Sequence, residues 1–304
     1  MPTQIVPQQG AQVIDGVITV QRFLQEPTQI NRAIEIDTAD RFLSDHLYTQ
    51  TPAAGGAVAY DRNVNPQNYG FMSDADGRDV EAIDAGSEFP FLTSEEGEAR
   101  VAHVQKYGGS ARFSRENIRR DQRDVLGRNL RLLSNTVIRK TDRIAVQTLV
   151  SDPDLGTLDV TVPWTAADAD PVYDLLSALS QINDTDFGYT ATTVLINRAQ
   201  VLALLGRRDV RDQLPRESAT LSPVLNPQLG NLLGVNWVVT EAVPAGTLYV
   251  TDRNTLGALA DEEGGVQTDT YEEKSTQSTI VQAWRTVVPV ITDPKAAVRV
   301  TGLA

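Results

Sequence analysis

Residues 114–150 form the longest regular pattern in the sequence, and they limit what the chain can fold into more than any other feature. They read SRENIRRDQRDVLGRNLRLLSNTVIRKTDRIAVQTLV, and apolar residues recur in them at steps of three, four and seven. This spacing predicts one buried face of a long α-helix. Ser114 is a suitable N-cap, and Asp152-Pro153 would end the helix. If unbroken, the helix would be about 54 Å long at ~1.5 Å per residue, so it must lie across a broad body.

The same segment concentrates positive charge, although the chain has a formal net charge of -13. Residues 112–143 contain ten basic and four acidic side chains, a net charge of +6, whereas residues 71–100 contain nine acids and two arginines, a net charge of -7. Arginines outnumber lysines 23 to 4, and the planar guanidinium suits two-point binding to a carboxylate. The two regions are therefore complementary in charge, while the acidic total disfavours a general nucleic-acid binder.

The length and hydropathy of the chain narrow its class. A chain of 304 residues is long enough for one large domain or two small ones with real cores. It has no run of about 18 apolar residues, so we expect no membrane span. The first residues, MPTQIVPQQG, lack a basic and an apolar region, so we expect no secretion signal.

The part of the chain before the long helix is predicted to contain little regular structure. Residues 1–50 indicate an extended arm with a short hairpin at Asp15-Gly16. Residues 51–98 are rich in Gly, Pro, Asn and Asp and have no sustained period, which predicts a long irregular excursion. The stretch ARVAHVQKYGGSARF then predicts a strand that returns to the body.

The part after the long helix predicts a mixed body of helices and strands. Asp170-Pro171 is a suitable start for one helix, and Asn197 is a suitable cap for a second that ends at Gly206. Strands are predicted in TTVLIN, VNWVVTEAVPAGTLYVTD, TIVQAWRTVVPVI and AAVRVTG. The stretch LPRESATLSPVLNPQLGNLLG predicts a loop, and DEEGGVQTDTYEEKSTQ predicts a polar hinge.

The sequence contains no pattern typical of a reactive site. Cysteine is absent, which excludes disulfides, thiol catalysis and zinc thiolate sites. His46 and His103 are the two histidines, and neither has the pattern of a catalytic triad. The stretch DADGRD, from Asp74 to Asp79, lacks the spacing and closing glutamate of a calcium loop, and no Gly-x4-Gly-Lys phosphate loop is present. We therefore expect no cofactor, no metal and no enzymatic activity, with a soluble acidic enzyme as the disfavoured alternative.

The order of these elements resembles the major capsid proteins of tailed bacteriophages, which have the Hong Kong ninety-seven type fold. The resemblance is strongest over residues 114–302, in TTVLINRAQVLALL, LLGVNWVVTEAVPAGTLYVTDRNTLGAL and QAWRTVVPVITDPKAAVRVTG. It implies an α+β fold and a structural protein that self-assembles into pentamers and hexamers of an icosahedral shell enclosing double-stranded DNA. An encapsulin-type bacterial compartment shell, which has the same fold, is the alternative.

The resemblance also implies a division of the chain into five parts. These are an N-terminal arm (1–50), an extended loop (51–112), a spine helix of the peripheral domain (113–162), an axial domain (163–270) and C-terminal strands that return to both domains (271–304).

Two departures from the family pattern bear on the partners of the chain. Only residues 1–50 precede the loop, where some members carry a scaffolding domain, so we expect a separate scaffolding protein, or none. Members that crosslink their subunits place a lysine on the loop, but residues 51–98 contain none, so we expect a shell that is not crosslinked. The resemblance further implies a portal protein, a cement protein, loose non-specific contact with packaged DNA, no membrane, assembly in the bacterial cytoplasm and a final place in the virion capsid.

The resemblance implies that the two charged regions meet between neighbouring subunits. We expect the acidic loop of one subunit to lie over the basic helix of the next. The residues assigned to this contact are Asp74, Asp76, Asp79, Glu81, Asp84, Glu88, Arg115, Arg119, Arg120, Arg123, Arg128 and Arg131. Two alternatives stay open: a solvated helix face with local pairs such as Glu116–Arg120 and Asp124–Arg128, and DNA binding by the helix.

Overall fold

The computed structural model describes most of the chain after the arm, and of Arg123 and Asp124 it describes the backbone alone. The described residues are 34, 42–63, 82–87, 89, 97–120, 123–166, 168–183, 188–206 and 234–304. The predicted hairpin at Asp15-Gly16 and the predicted proline-rich loop before Gly234 lie outside them.

The helices from residue 115 onward lie where the apolar periodicity and the capping residues predict them, and one short helix in the predicted arm was not predicted. In chain order they are α1 (Ser44–Leu47), α2 (Arg115–Arg119), α3 (Arg123–Ser151), α4 (Pro171–Asn183) and α5 (Arg198–Gly206). Asp170 caps α4 by accepting a hydrogen bond from the Tyr173 N–H at 3.1 Å, and Asn197 caps α5 by accepting one from the Ala199 N–H at 3.0 Å. These predicted N-terminal caps are therefore confirmed.

The long predicted helix is divided into α2 and α3. Ser114 caps α2 and accepts a hydrogen bond from the Asn117 N–H at 3.4 Å, while α3 ends at Ser151, directly before Asp152. Both predicted ends are therefore confirmed, but α2 already ends at Arg119. The physical reason is visible in the sequence, because residues 119–124 contain no apolar side chain that could bury a helical turn there.

One sheet is built around the long strand β11 and is named here the β11 sheet. Its strands are β1 (Thr49–Pro52), β4 (Gln105–Ser114), β9 (Gly257–Asp261), β10 (Gln267–Glu273) and β11 (Ser278–Ile291). One edge of β11 pairs antiparallel with β4, and its other edge pairs with β10 and then β9, end to end. β1 extends the sheet by pairing parallel with β9. The polar hinge predicted over this region is wrong for residues 267–273, which form β10.

The second sheet has β8 at its centre and is named the β8 sheet. Its strands are β5 (Gly156–Asp159), β6 (Thr193–Ile196), β7 (Asn236–Val239), β8 (Leu248–Thr251) and β12 (Ala297–Thr301). Their order is β5-β12-β8-β6-β7. β6 and β8 are buried along their whole length, as expected for strands covered on both faces. The predicted strands are therefore confirmed at β6, β7, β8 and β12, whereas β5 was not predicted.

A two-stranded ribbon stands apart from both sheets. It consists of β2 (Ala57–Arg62) and β3 (Glu98–His103), which pair antiparallel from Ala57–His103 to Arg62–Glu98. All twelve residues are described, and Arg62 is the one among them that is buried. The predicted irregular excursion over residues 51–98 is therefore wrong for residues 57–62, which form β2.

Helix α3 packs on two hydrophobic cores. Its first half places Leu126, Leu130 and Leu133 in a core with Phe113 and Val281 of the β11 sheet. Its second half places a further group in the larger core around the β8 sheet, which also contains α4 and α5: Ala145, Val146 and Leu149. The helix thus lies across a broad body, as its length predicts.

Two glycines give a stability prediction with opposite signs. Gly127 lies inside α3, and a Cβ added there would meet no atom within 4 Å. Gly108 lies on β4, and its Cβ would be 2.5 Å from the Cβ of Trp284 and 2.6 Å from the carbonyl oxygen of Ala283. We expect Gly127→Ala to raise the free energy of unfolding by about 0.5–1 kcal/mol and Gly108→Ala to lower it by about 1–3 kcal/mol.

Urea unfolding of the unassembled chain, followed by circular dichroism, checks both values. Equal effects of the two substitutions would contradict the difference in packing.

Candidate assembly interface

The predicted arginines form an exposed patch on α2 and α3, named here the basic surface. Its described side chains are all exposed: Arg115, Arg119, Arg120, Arg128 and Arg131. Arg128 and Arg131 lie about one turn apart on α3, and Leu126 and Leu130 beside them are buried in the core. The side chain of Arg123 lies outside the described residues.

The acidic half of the predicted contact is described at one position. Asp84 is exposed in a turn in which the Ser87 N–H donates to the Asp84 carbonyl at 3.0 Å. The other predicted acids lie outside the described residues: Asp74, Asp76, Asp79, Glu81 and Glu88. Among the described ion pairs, none joins Asp84 to the basic surface, so the predicted contact with a neighbour stays a prediction.

Part of the positive charge is compensated within α2. The pKa of Glu116 lies below its ordinary value, because the carboxylate accepts hydrogen bonds from its own backbone N–H and from Ser114, and because Arg119 and Arg120 are close. The charge of Arg120 is the smallest of these causes, so the predicted Glu116–Arg120 pair stays a prediction. At the second predicted pair, Asp124–Arg128, the side chain of Asp124 is outside the described residues.

A buried ion pair was not predicted from the sequence, and it lies at the Arg62–Glu98 end of the ribbon, named here the base. Arg62 ends β2, and its guanidinium donates two hydrogen bonds to the Asp152 carboxylate, at 2.8 and 2.7 Å. A third hydrogen bond reaches Asp154 at 2.7 Å. The partners are 90 residues apart in sequence, so no local pattern could have revealed the pair.

Burial and pairing act in opposite directions on this ion pair. Burial raises the pKa of Asp152. The hydrogen bonds from Arg62 and from the Asp154 N–H, together with the charge of Arg62, lower it by more than burial raises it, so the net shift is downward. The hydrogen bond to Asp152 is the main reason why the pKa of Arg62 is raised. Both groups are therefore charged at neutral pH, and the two-point contact holds β2 against the end of α3.

A second buried arginine fixes the segment that precedes β1. Arg285 on β11 donates to the Asp261 carboxylate at 2.7 Å and lies 3.8 Å from an oxygen of Asp45. Its guanidinium stacks 4.3 Å from the centre of the Phe42 ring. These contacts tie residues 42–48 to the β11 sheet.

The same segment is bound to α3 by Asp142. The Asp142 carboxylate accepts a hydrogen bond from the Ser44 N–H at 3.1 Å, at the start of α1. Burial raises the pKa of Asp142 to about 6, although the N–H groups of Ser44 and Leu43 oppose this shift. The negative charge of Asp45 raises the pKa further.

Asp142 also lines a surface cavity of about 270 Å³, between α3, the start of α5 and the end of β7. Three arginines from the two helices line it too: Arg139, Arg143 and Arg198. Glu241 lies opposite them, so the charges of the lining are mixed.

The described residues offer little support for other kinds of site. They contain no cluster of three His, Cys, Asp or Glu side chains that could hold a metal ion. No helix among them is long and apolar enough to cross a membrane. His46 and His103 are both exposed, and Trp164 and Trp237 are buried core residues.

Solved structures share this fold at low sequence identity. A phage-related protein from Bordetella bronchiseptica RB50 has a TM-score of 0.62 and 13% identity, over 90% of this chain and 97% of that one. The structure from Microbacterium phage Oxtober96 has a TM-score of 0.57 and 15% identity, over 98% and 96%. A virus-like particle from Pyrococcus furiosus has a TM-score of 0.59 and 12% identity, over 90% and 98%. No curated protein matches the chain in sequence.

These comparisons define the class of the protein as a structural capsid protein with the Hong Kong ninety-seven type α+β fold. The sequence profile of the phage capsid protein family matches residues 97–300, two thirds of the chain. The chain therefore belongs to the phage capsid protein family. The expected fold class and the expected major capsid role are both confirmed.

The raised pKa of Asp142 gives a prediction about pH. Because the folded chain binds this proton more readily than the unfolded chain, the ionised carboxylate costs stability above pH 6, and the cost is relieved as the pH falls from about 6 to about 4. Asp142→Asn removes the charge and keeps an oxygen that can accept from Ser44. We expect it to raise the free energy of unfolding at pH 7.5 by about 1–2 kcal/mol, and to have little effect at pH 4.

Urea unfolding at pH 7.5, 6 and 4 measures this difference, with Asp168→Asn on the surface as the matched control. A difference between wild type and Asp142→Asn that does not depend on pH would contradict the assignment.

Proposed function

We propose that this chain is the major capsid protein of a tailed bacteriophage, which builds pentamers and hexamers of an icosahedral shell around double-stranded DNA. The match of residues 97–300 to the phage capsid protein family is the observation that carries this proposal. The exposed ribbon supports it, because isolated two-stranded ribbons are marginally stable in water and a neighbouring copy would cover this one. We keep the five-part division of the chain, from the arm to the returning C-terminal strands, as part of the proposal.

Charge complementarity between copies supports the contact that we propose. Ring-forming subunits bind through two different surfaces, one on each partner. In the proposed contact, the acidic segment between β2 and β3 of one copy lies over the basic surface of the next. Exposed ion pairs contribute only ~0.2–1 kcal/mol each, so they set register and encounter rate more than affinity.

The remaining partners follow from the proposed role. A separate scaffolding protein would guide assembly in the bacterial cytoplasm, a portal protein would occupy one vertex, and a cement protein would strengthen the shell. The packaged DNA would touch the inner wall loosely, because a chain with a net charge of -13 repels phosphate overall. In this role the chain is not an enzyme and forms no covalent bond between subunits.

Assembly of the purified chain tests the proposal directly. We expect negative-stain electron microscopy to show closed hollow particles or rings of five and six subunits, alone or after a scaffolding protein is added. We expect denaturing electrophoresis of these particles to show the monomer band alone, because the shell is held by non-covalent contacts. A chain that stays monomeric at high concentration, with host lysate present, would contradict the proposal, and particles that enclose a host enzyme would favour a compartment shell.

Reversal of charge on the basic surface tests the proposed contact. We expect Arg119→Glu, Arg120→Glu and Arg123→Glu together to leave a folded chain that does not assemble, because each change replaces an attraction to the acidic segment with a repulsion. The readouts are circular dichroism for folding and particle yield by sedimentation.

The matched control reverses three exposed charges elsewhere, at Arg253, Lys274 and Lys295. Normal shells from the basic-surface variant would show that the contact is placed wrongly.

A further inference from the structure

The ribbon depends on the body of the chain for its direction. Eleven of its twelve residues are exposed or half-buried, and Val101 on β3 is 63% exposed. No third strand pairs with β2 or β3 in the described structure. The ribbon has therefore almost no core of its own. Its direction is set at one end by the chain, since Val104 alone separates β3 from β4, and at the other end, the base, by a few contacts with the body.

Arg62 is the main contact at this base. Its guanidinium is held by two oxygens of Asp152 and one of Asp154, as described above, and the side chain of Arg62 is 6% exposed. A neighbouring contact is the hydrogen bond from the Asn63 N–H to the Thr292 carbonyl at 2.8 Å. A single hydrogen bond leaves a hinge free to rotate, whereas the planar fork of an arginine on a carboxylate fixes an angle.

The residues that receive Arg62 are themselves fixed. The Asp152 N–H donates to the Leu149 carbonyl at 3.3 Å, at the end of α3. The Asp154 N–H donates to the Asp152 carboxylate at 3.0 Å, and Leu155 is buried in the larger core. The contact with Arg62 therefore fixes the ribbon relative to the end of α3.

A buried ion pair of this kind is better suited to fixing geometry than to raising stability. The cost of removing both charges from water offsets most of their attraction, so two apolar side chains of similar size often give equal stability. Apolar side chains, however, can pack in several orientations and do not select one angle. Stability and orientation can therefore be separated by substitution.

We infer that Arg62 is a positioning residue, which sets the angle between the ribbon and α3 and thereby decides where the segment between β2 and β3 reaches a second copy of this chain. The inference rests on the proposed function, because the orientation of the ribbon matters for assembly only if a neighbour receives that segment.

Spin-label distances in the unassembled chain test the angle. The chain has no cysteine, so Ala59→Cys on the exposed face of β2 and Gln147→Cys on the exposed face of α3 give two unique labels. In this background we expect one narrow distance distribution from double electron–electron resonance. We expect the double variant Arg62→Met with Asp152→Leu to unfold near the temperature of the labelled parent, since Asp154 is 40% exposed and keeps its solvation when Arg62 is lost. We expect the same variant to show a broad distance distribution.

Two further variants make the result decisive. Arg62→Lys keeps the charge but not the two-point contact, so we expect it to broaden the distribution too. If the double variant does not fold, this single variant still tests the inference. Arg100→Met is the matched control, because Arg100 lies on the same ribbon in an exposed pair with Glu98, and it should leave the distribution narrow. A narrow distribution in both Arg62 variants would overturn the inference.

Particle yield links the angle to assembly. We expect the Arg62 variants to lose at least about tenfold in shell yield, equivalent to ~1.4 kcal/mol, and the Arg100 variant to assemble normally. A broad distribution with a normal yield would overturn the inference while leaving the proposed function intact. Failure of the wild-type chain to assemble would instead overturn the proposed function, and the distance measurement would still decide whether Arg62 fixes the angle.

Discussion

The packing of α3 on two cores is the interaction on which the other parts of the structure depend. The first half of the helix covers the β11 sheet, and the second half enters the core around the β8 sheet. Because the helix is continuous from Arg123 to Ser151, one rigid element fixes both sheets, and apolar burial supplies the stability. The basic surface follows from the same packing, since arginines between the buried leucines must face outward.

Buried arginines fix the segment around α1 and the β2–β3 ribbon to the body, as α3 fixes the two sheets. The β2–β3 ribbon has almost no core, whereas the segment around α1 buries Phe42, Leu47 and Tyr48. Each is also tied to the body by an arginine with little exposed surface, Arg62 for the ribbon and Arg285 for the segment. Asp142 adds a carboxylate that caps α1 and joins it to α3. For the ribbon, the long-range polar contact supplies a direction that its few apolar contacts would leave open.

Local signals were sufficient for the elements and insufficient for the contacts that orient them. The caps at Ser114, Asp170 and Asn197 were correctly predicted, because a cap depends on residues three or fewer positions away. The hinge prediction was wrong at β10, which is largely polar and forms a strand because β11 offers it a free edge. The pairs at Arg62 and Arg285 could not be predicted, since their partners are close in space alone. The break after Arg119 had a visible signal, the six polar residues that interrupt the stripe.

Two kinds of ion pair therefore divide the work in the proposed shell. The buried pair at Arg62 is shielded from salt, so it would keep one geometry in every subunit under the conditions of assembly. Ion pairs formed by the exposed arginines of the basic surface would be weak and screened by salt. A contact made through them could therefore be broken and made again until neighbours are in register. A shell built from many copies needs both properties, because a subunit with a variable shape cannot close a ring, and a contact that is strong from the start cannot correct an error.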